Sequence, residues 1–384
     1  MRILFLFVGE PHQIFHALPI AAEMAAMGSN VELAVASARH LRMVEQVAAV
    51  YPGFAPRTTV LGQRGISNWL REQAVIRHPR LPILFGALRF LRHFDAIVVP
   101  ERTTTAIRHF LPRRTRLIFT PHGAGDRAIM LDPRDRHFDF VLVAGEKSEQ
   151  RLLDAKTIRP GHYALNGYVK LDLMERLGKT RAPLFDNGRL TVLYAPHFHR
   201  GLSSWDRFGR DIIAWFAAQD RYNLVVAPHV RLFAEASDAE GAAVKALAVP
   251  GKIMVDLGSD RLFDMSYTSG ADIYLGDVSS QVYEFLSTPR PCLFLNAHNV
   301  DWVGDPDYLF WTLGDVVDDL DALPTALDQA AAHHPRYIDA QRERLAESIG
   351  GDPAGAARRG AEAIARFLAT GFLAKDATQD KSGG

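Results

Sequence analysis

Short apolar runs alternate along this chain with longer segments whose apolar residues recur at helical spacing, a pattern that predicts parallel α/β layers. In the first half, Arg2–Val8, Asn30–Val35, Ala96–Val99, Arg116–Thr120 and Phe140–Val143 read as strands. Between them, His12–Met27 (Phe15, Ala22 and Met27 on one face) and Ala38–Ala49 read as the crossover helices that parallel strands require. The second half repeats the pattern, with strands at Thr191–Ala195, Asn223–Ala227, Lys252–Val255, Asp272–Leu275 and Cys292–Leu295. Its helices are expected at Arg207–Gln219, Arg231–Leu247 and Gln281–Leu286, and two more close the chain at Pro335–Ser348 and Pro353–Phe372. The predicted class is α/β, with two Rossmann-like doubly wound domains facing a central cleft and C-terminal helices. The boundaries follow: a first domain over 1–170, a linker over 171–188, a second domain over 189–350, a helix over 351–373 and a disordered polar tail over 374–384. The linker is marked by charges, Gly178, Pro183 and Asn187-Gly188 without a strong period.

Composition narrows the picture. The chain has 384 residues, 48% of them hydrophobic, and no formal net charge, which suits two cores and argues against a nucleic-acid partner. The single cysteine, Cys292, rules out an intramolecular disulfide, fits a reducing compartment and sits in an apolar strand. The apolar N-terminus ends at Gly9-Glu10 without a small-residue cleavage site, so it reads as a first strand rather than a secretory signal. No apolar run reaches bilayer length, so the expected location is cytoplasmic, including the periphery of the membrane's inner face. One region departs from neutrality. Arg57–Arg116 holds many arginines and few acids, interleaved with Trp69, Leu70, Ile83, Leu84, Phe85, Leu88, Phe90 and Leu91. It reads either as a basic amphipathic surface for anionic lipid or as ordinary core beneath solvated arginines.

Ligands of such folds bind beyond the strand C-termini, so chemistry is expected in the loops there. Gly276-Asp277-Val278-Ser279-Ser280 follows a strand and opens a helix; backbone N–H groups, serine hydroxyls and the positive dipole end suit an anion, and a helix cap that binds nothing is the alternative. Glu284, one turn on, is placed to accept from a ribose hydroxyl or to be a solvated charge. After the first strand of the second array come His197, His199 and Arg200, donors suited to phosphate oxygens. His-x-His without nearby carboxylates is a weak metal signal, and Asp305-Pro-Asp307 reads as a turn, so no metal is inferred. His229 ends another strand after Pro228. In the first half His122 follows a strand and Pro121, and Gly123 and Gly125 let a ligand approach the backbone; histidine suits proton removal from a hydroxyl near neutrality. The opening loop, with Gly9 and His12, is assigned to the acceptor side together with Gly123.

With His122-Gly123 after a strand, Ala195-Pro196 after the next array's first strand, His229 at a later strand end and Asp277-Val-Ser-Ser-x-x-x-Glu-Phe285, the chain resembles the CDP-glycerol glycerophosphotransferase family, teichoic-acid primases and polymerases of GT-B fold. The resemblance implies a transferase in cell-surface glycan synthesis that takes glycerol phosphate, or a related polyol phosphate, from a CDP-linked donor. The acceptor is a hydroxyl of a lipid-linked or polysaccharide molecule, which attacks the donor's β-phosphate and displaces CMP. His122 would be the base, while His229, Ser279 and Ser280 would hold the pyrophosphate. It implies no cofactor and no metal, the nucleotide-activated donor being a substrate. Val278 stands where the family has an aromatic residue, and His197-Phe-His199-Arg and Ala227-Pro-His229-Val depart from its usual segments, so the donor stays open. A GT-B glycosyltransferase using a UDP- or GDP-sugar is the alternative, and a sugar-nucleotide 2-epimerase a third reading that calls for clustered acid/base carboxylates.

Overall fold

The apolar runs become strands because they are buried on both faces, as parallel strands covered by helices must be. The computed structural model describes residues 1–62, 80–123, 131–178, 181–350 and 352–372. It contains β1 (Arg2–Phe7), β2 (Asn30–Val35), β3 (Arg57–Val60), β4 (Ala96–Val99), β5 (Arg116–Phe119), β6 (Phe140–Val143) and β7 (Tyr163–Leu165), in the order β3-β2-β1-β4-β5-β6-β7. A second sheet holds β8 (Leu190–Ala195), β9 (Tyr222–Val226), β10 (Ile253–Val255), β11 (Ile273–Gly276), β12 (Cys292–Leu295) and β13 (Asp315–Val317), in the order β10-β9-β8-β11-β12-β13. Every pairing between these strands is parallel. The strands missing from the apolar pattern are β3, β7 and β13, all at sheet edges and mostly half-buried, where less apolar sequence is needed.

The chain divides into two compact units. Among the described residues, the first is built from 1–62, 80–123, 131–177, 347–350 and 352–372 and the second from 178 and 181–346; the tail expected over 374–384 lies outside them. Residues 171–176, expected in the linker, instead complete a helix, Val169–Arg176, of the first unit, because Val169, Leu171, Leu173 and Met174 are buried there. The last helix, Ala356–Thr370, also returns to the first unit. Phe367 stacks on Phe140 of β6 at 4.6 Å, and Asp172 accepts from the Ala357 N–H at 3.0 Å, satisfying a donor at the helix start. The helix expected over Arg231–Leu247 is shorter, Asp238–Lys245. Its start is fixed by a capping box in which Ser237 and Glu240 satisfy each other's backbone N–H groups. Among the described residues, no helix is long and apolar enough to cross a membrane.

Two features of this topology position chemistry. In the first sheet β1 lies between β2 and β4, and in the second β8 lies between β9 and β11. At each of these places the chain changes winding direction, so the loops leaving the strand ends part and open a crevice.

Candidate functional site

In the first unit, the loops after β1, β4 and β5 bring together Gly9, Pro100 and His122. The His122 Nδ1 lies 2.7 Å from the Pro100 carbonyl oxygen, so Nδ1 carries the hydrogen and donates it there. Nε2 therefore keeps its lone pair, and the Gln13 amide nitrogen, 3.2 Å away, donates to it. Burial pushes the His122 pKa down to about 4; the Pro100 bond opposes this, while the Arg102 and Arg80 charges add to it and Glu10 resists it. The ring is thus neutral near neutrality, with one tautomer selected.

Around it stand His12 and His16, their rings edge-on to His122 with centroids at 5.8 and 6.4 Å. His16 is buried, and burial followed by the Lys170 charge holds its pKa well below the usual histidine value. The nearby carboxylates are engaged elsewhere. Glu101 accepts from the Thr104 N–H at 3.1 Å, from the Thr103 N–H and from the Thr104 hydroxyl. Asp135 takes a two-pronged hydrogen bond from Arg102 at 2.6 and 3.0 Å, and Glu10 pairs with Arg80 at 3.0 Å. His122 is the side chain whose tautomer puts the acceptor nitrogen at Nε2, where the Gln13 amide donates to it.

In the second unit, adjacent strands β9, β8 and β11 end in His229, His197 and Asp277. The His199 N–H donates to His197 Nδ1 at 3.0 Å, and the Arg231 N–H donates to His229 Nδ1 at 3.2 Å. Each neutral ring must then carry its hydrogen on Nε2, the opposite of His122. The two rings lie 6.0 Å apart, with Phe198 4.6 Å from His229 and Arg231 over the Phe198 face at 4.3 Å. A pair of Nε2–H donors beside a guanidinium suits the oxygens of a diphosphate.

Asp277 has a different place from the one expected. The sequence places it with the donor, yet it is fully buried, and its Oδ2 accepts from the backbone N–H of His197 at 2.8 Å and of Ser204 at 2.9 Å. It pins the His197 loop, and its Oδ1 has no hydrogen-bond partner. Burial raises its pKa to about 7 against the pull of those donors.

The remaining expected residues fall out unevenly. Gly276 is needed less for a turn than for packing, since a Cβ there would lie 2.7–2.8 Å from the Tyr274 ring and hydroxyl. Ser279 and Ser280 are half-buried at the start of the five-residue helix Gln281–Phe285; Ser279 accepts weakly from the Gln281 N–H at 3.3 Å, and Ser280 makes no side-chain cap. Glu284 is buried rather than a solvated charge. Arg200 points to solvent, its side chain 90% exposed and 3.9 Å from Asp206, so it is not drawn to the histidines. His12 joins His122, and Gly123 follows it at the end of a described segment. Gly9 is explained by Gln13: a Cβ on Gly9 would meet Gln13 Oε1 at 2.1 Å. Gln13, His16, Pro100 and Ser204 were not anticipated. The spacing of His12 and His16, four apart at a helix start, was a readable sign for one of them; the others depend on tertiary neighbours. Among the described residues, no three His, Cys, Asp or Glu side chains are gathered as a metal would require.

No protein-family model matches the chain, and no curated protein matches it significantly. Solved structures do. A Neisseria meningitidis UDP-GlcNAc 2-epimerase, bound to UDP-GlcNAc, aligns at a TM-score of 0.64 and 14% identity over 96% of this chain and 100% of its own. The S. aureus protein MnaA, solved with UDP, aligns at 0.66 and 12% identity over 96% and 97%. The wall teichoic acid polymerase TagF aligns at 0.63 and 14% identity over 96% and 88%. At such identities the likeness is one of fold: this chain has the two-sheet α/β architecture of GT-B proteins.

Proposed function

We propose that this chain is a transferase that moves glycerol phosphate, or a related polyol phosphate, from a CDP-linked donor to the hydroxyl of a lipid-linked or glycan acceptor. The observation that carries the reading is made in each unit by itself: the hydrogen-bond partners of the strand-end histidines select one tautomer at His122 in the first unit and the other at His197 and His229 in the second. His122 carries its lone pair at Nε2, whereas His197 and His229 carry hydrogens there. In the proposed reaction the acceptor oxygen attacks the donor's β-phosphorus and its proton passes to His122 Nε2. The bond between that phosphorus and the bridging oxygen breaks, and CMP leaves with the electron pair. His197 and His229 donate to the diphosphate oxygens as charge moves onto CMP, and Ser279 and Ser280 add hydroxyl donors. The shared fold with TagF and the strand-end motifs support the polyol-phosphate form.

A second reading has its own support, because proteins of the same fold are solved with UDP-GlcNAc and with UDP. In it a UDP- or GDP-sugar is the donor and attack falls on the anomeric carbon, or a sugar nucleotide is epimerised. The engagement of Glu101, Asp135 and Glu10 by their own partners weighs against the epimerase. Thermal-shift measurements with CDP-glycerol, CDP, UDP-GlcNAc, UDP and GDP-mannose separate these readings. A ligand at 100 times its Kd stabilises the fold by about 2.7 kcal/mol. Stabilisation by cytidine nucleotides is expected; stabilisation by uridine or guanosine nucleotides alone would sink the polyol-phosphate reading.

A further inference from the structure

Part of the arginine-rich region that reads either as a lipid-facing surface or as ordinary core, residues 63–79 with Trp69 and Leu70, lies outside the described residues. Of its apolar residues that are described, Ile83, Leu84 and Leu91 belong to the core, and Leu88 and Phe90 pack against it. Those residues serve the fold, so the amphipathic reading fails for them. What remains is a smaller, sharper feature. Leu81 and Phe85 on the helix Arg80–Gly86 and Phe110 at the end of the turn Thr103–Phe110 are 43%, 44% and 47% exposed. Phe85 and Phe110 meet edge to face at 5.5 Å, so the apolar atoms form one patch rather than scattered side chains.

The same segment is strongly cationic. Residues 80–116 hold eight arginines against two acids, Asp95 and Glu101. Arg89, Arg92, Arg113 and Arg114 are exposed, and none of them forms an ion pair among the described residues. Arg92 instead donates to the Phe110 carbonyl oxygen at 2.9 Å, fixing the aromatic end of the patch. Exposed aromatic side chains in one segment with exposed arginines that pair with no acid among the described residues match the chemistry of an anionic lipid surface, with shallow apolar insertion and headgroup attraction together. We propose that the first unit docks on anionic membranes through Leu81, Phe85 and Phe110, with Arg89, Arg92, Arg113 and Arg114 meeting the headgroups. The docking helix also reaches the histidine cluster, since its first residue, Arg80, pairs with Glu10 two residues before His12. The proposal holds whichever group is transferred.

The test is co-sedimentation of the full chain with vesicles of phosphatidylglycerol and phosphatidylcholine, compared with phosphatidylcholine alone. Binding to the anionic vesicles is expected, falling steeply with added salt. Phe85→Ser with Phe110→Ser should weaken it about tenfold or more, and Arg89→Glu with Arg113→Glu and Arg114→Glu should abolish it at low salt. All five side chains are exposed, and a melting curve for each variant checks that the fold is kept. Absence of parent binding at low ionic strength, or equal binding by both folded variants, overturns the proposal. Retention on heparin without vesicle binding also overturns it, because the arginines would then serve a soluble polyanion.

Discussion

Replacing Asp277 by alanine removes the carboxylate whose Oδ2 accepts from the backbone N–H groups of His197 and Ser204 at 2.8 and 2.9 Å. A buried donor deprived of its acceptor costs about 1–3 kcal/mol, so leaving both unsatisfied should destabilise the chain by about 2–6 kcal/mol. Asparagine can turn its single carbonyl oxygen to the same two donors, so Asp277→Asn should stay within about 1 kcal/mol of the parent near neutral pH. The two variants also separate hydrogen bonding from charge. Burial raises the Asp277 pKa from 3.8 to about 7, so over that range the folded chain keeps a proton that the unfolded chain has released. Its contribution is therefore greatest below the unfolded pKa and is lost as pH rises through the folded one. From about pH 5 to pH 8 the loss is about 3 kcal/mol at 1.36 kcal/mol per pKa unit. His122, depressed to about 4, acts in the opposite sense between that value and 6.5, since there the unfolded chain takes up a proton that the folded one refuses. Subtracting parent from Asp277→Asn cancels this and isolates the carboxylate. Urea unfolding of parent, Asn and Ala chains at pH 5 and pH 8 makes the measurement. The Asn variant should gain on the parent by about 3 kcal/mol between the two pH values. A cost for Ala below about 1 kcal/mol, or a parent–Asn difference that does not move with pH, would refute the account of Asp277 as a buried pin.

His122→Ala should remove about 100-fold or more of kcat while changing donor Kd less than about threefold, by titration calorimetry; loss of donor binding would end its assignment as the base. Because the free ring is neutral down to about pH 4, kcat/KM in the parent should hold down to mildly acidic pH and fall only as the pH nears that value, a limb that stopped-flow or end-point assays can trace. Gly9→Ala would push the Gln13 amide off His122 and should slow turnover about tenfold with little change in melting temperature, because the atom it meets is the end of a flexible side chain. Ser279→Ala with Ser280→Ala should weaken donor binding about tenfold; unchanged affinity would take the phosphate role from that loop.

The sequence by itself determined the layered α/β class, most strands of both sheets and the strand ends after which His122, His197 and His229 stand. It did so because buried parallel strands must be continuously apolar and their loops are the polar segments that follow. His122, His197 and His229 were legible for the same reason: each follows a proline or a Pro-containing turn after such a run. The edge strands β3, β7 and β13 were not, since an edge is covered on fewer sides and Arg57-Thr-Thr-Val60 needs little apolar character. Nor could periodicity show that the helix Ala356–Thr370 returns to the first sheet, a choice made by Phe367 meeting Phe140. What only the tertiary structure decided is the work each polar side chain does. Asp277 reads in sequence as part of a phosphate loop and is in fact a buried acceptor for a loop 73–80 residues earlier. The three histidines are alike as letters, but the Pro100 carbonyl, the His199 N–H and the Arg231 N–H give them opposite tautomers. A proton's position is set by the nearest donor or acceptor in space, and those neighbours come from several strands.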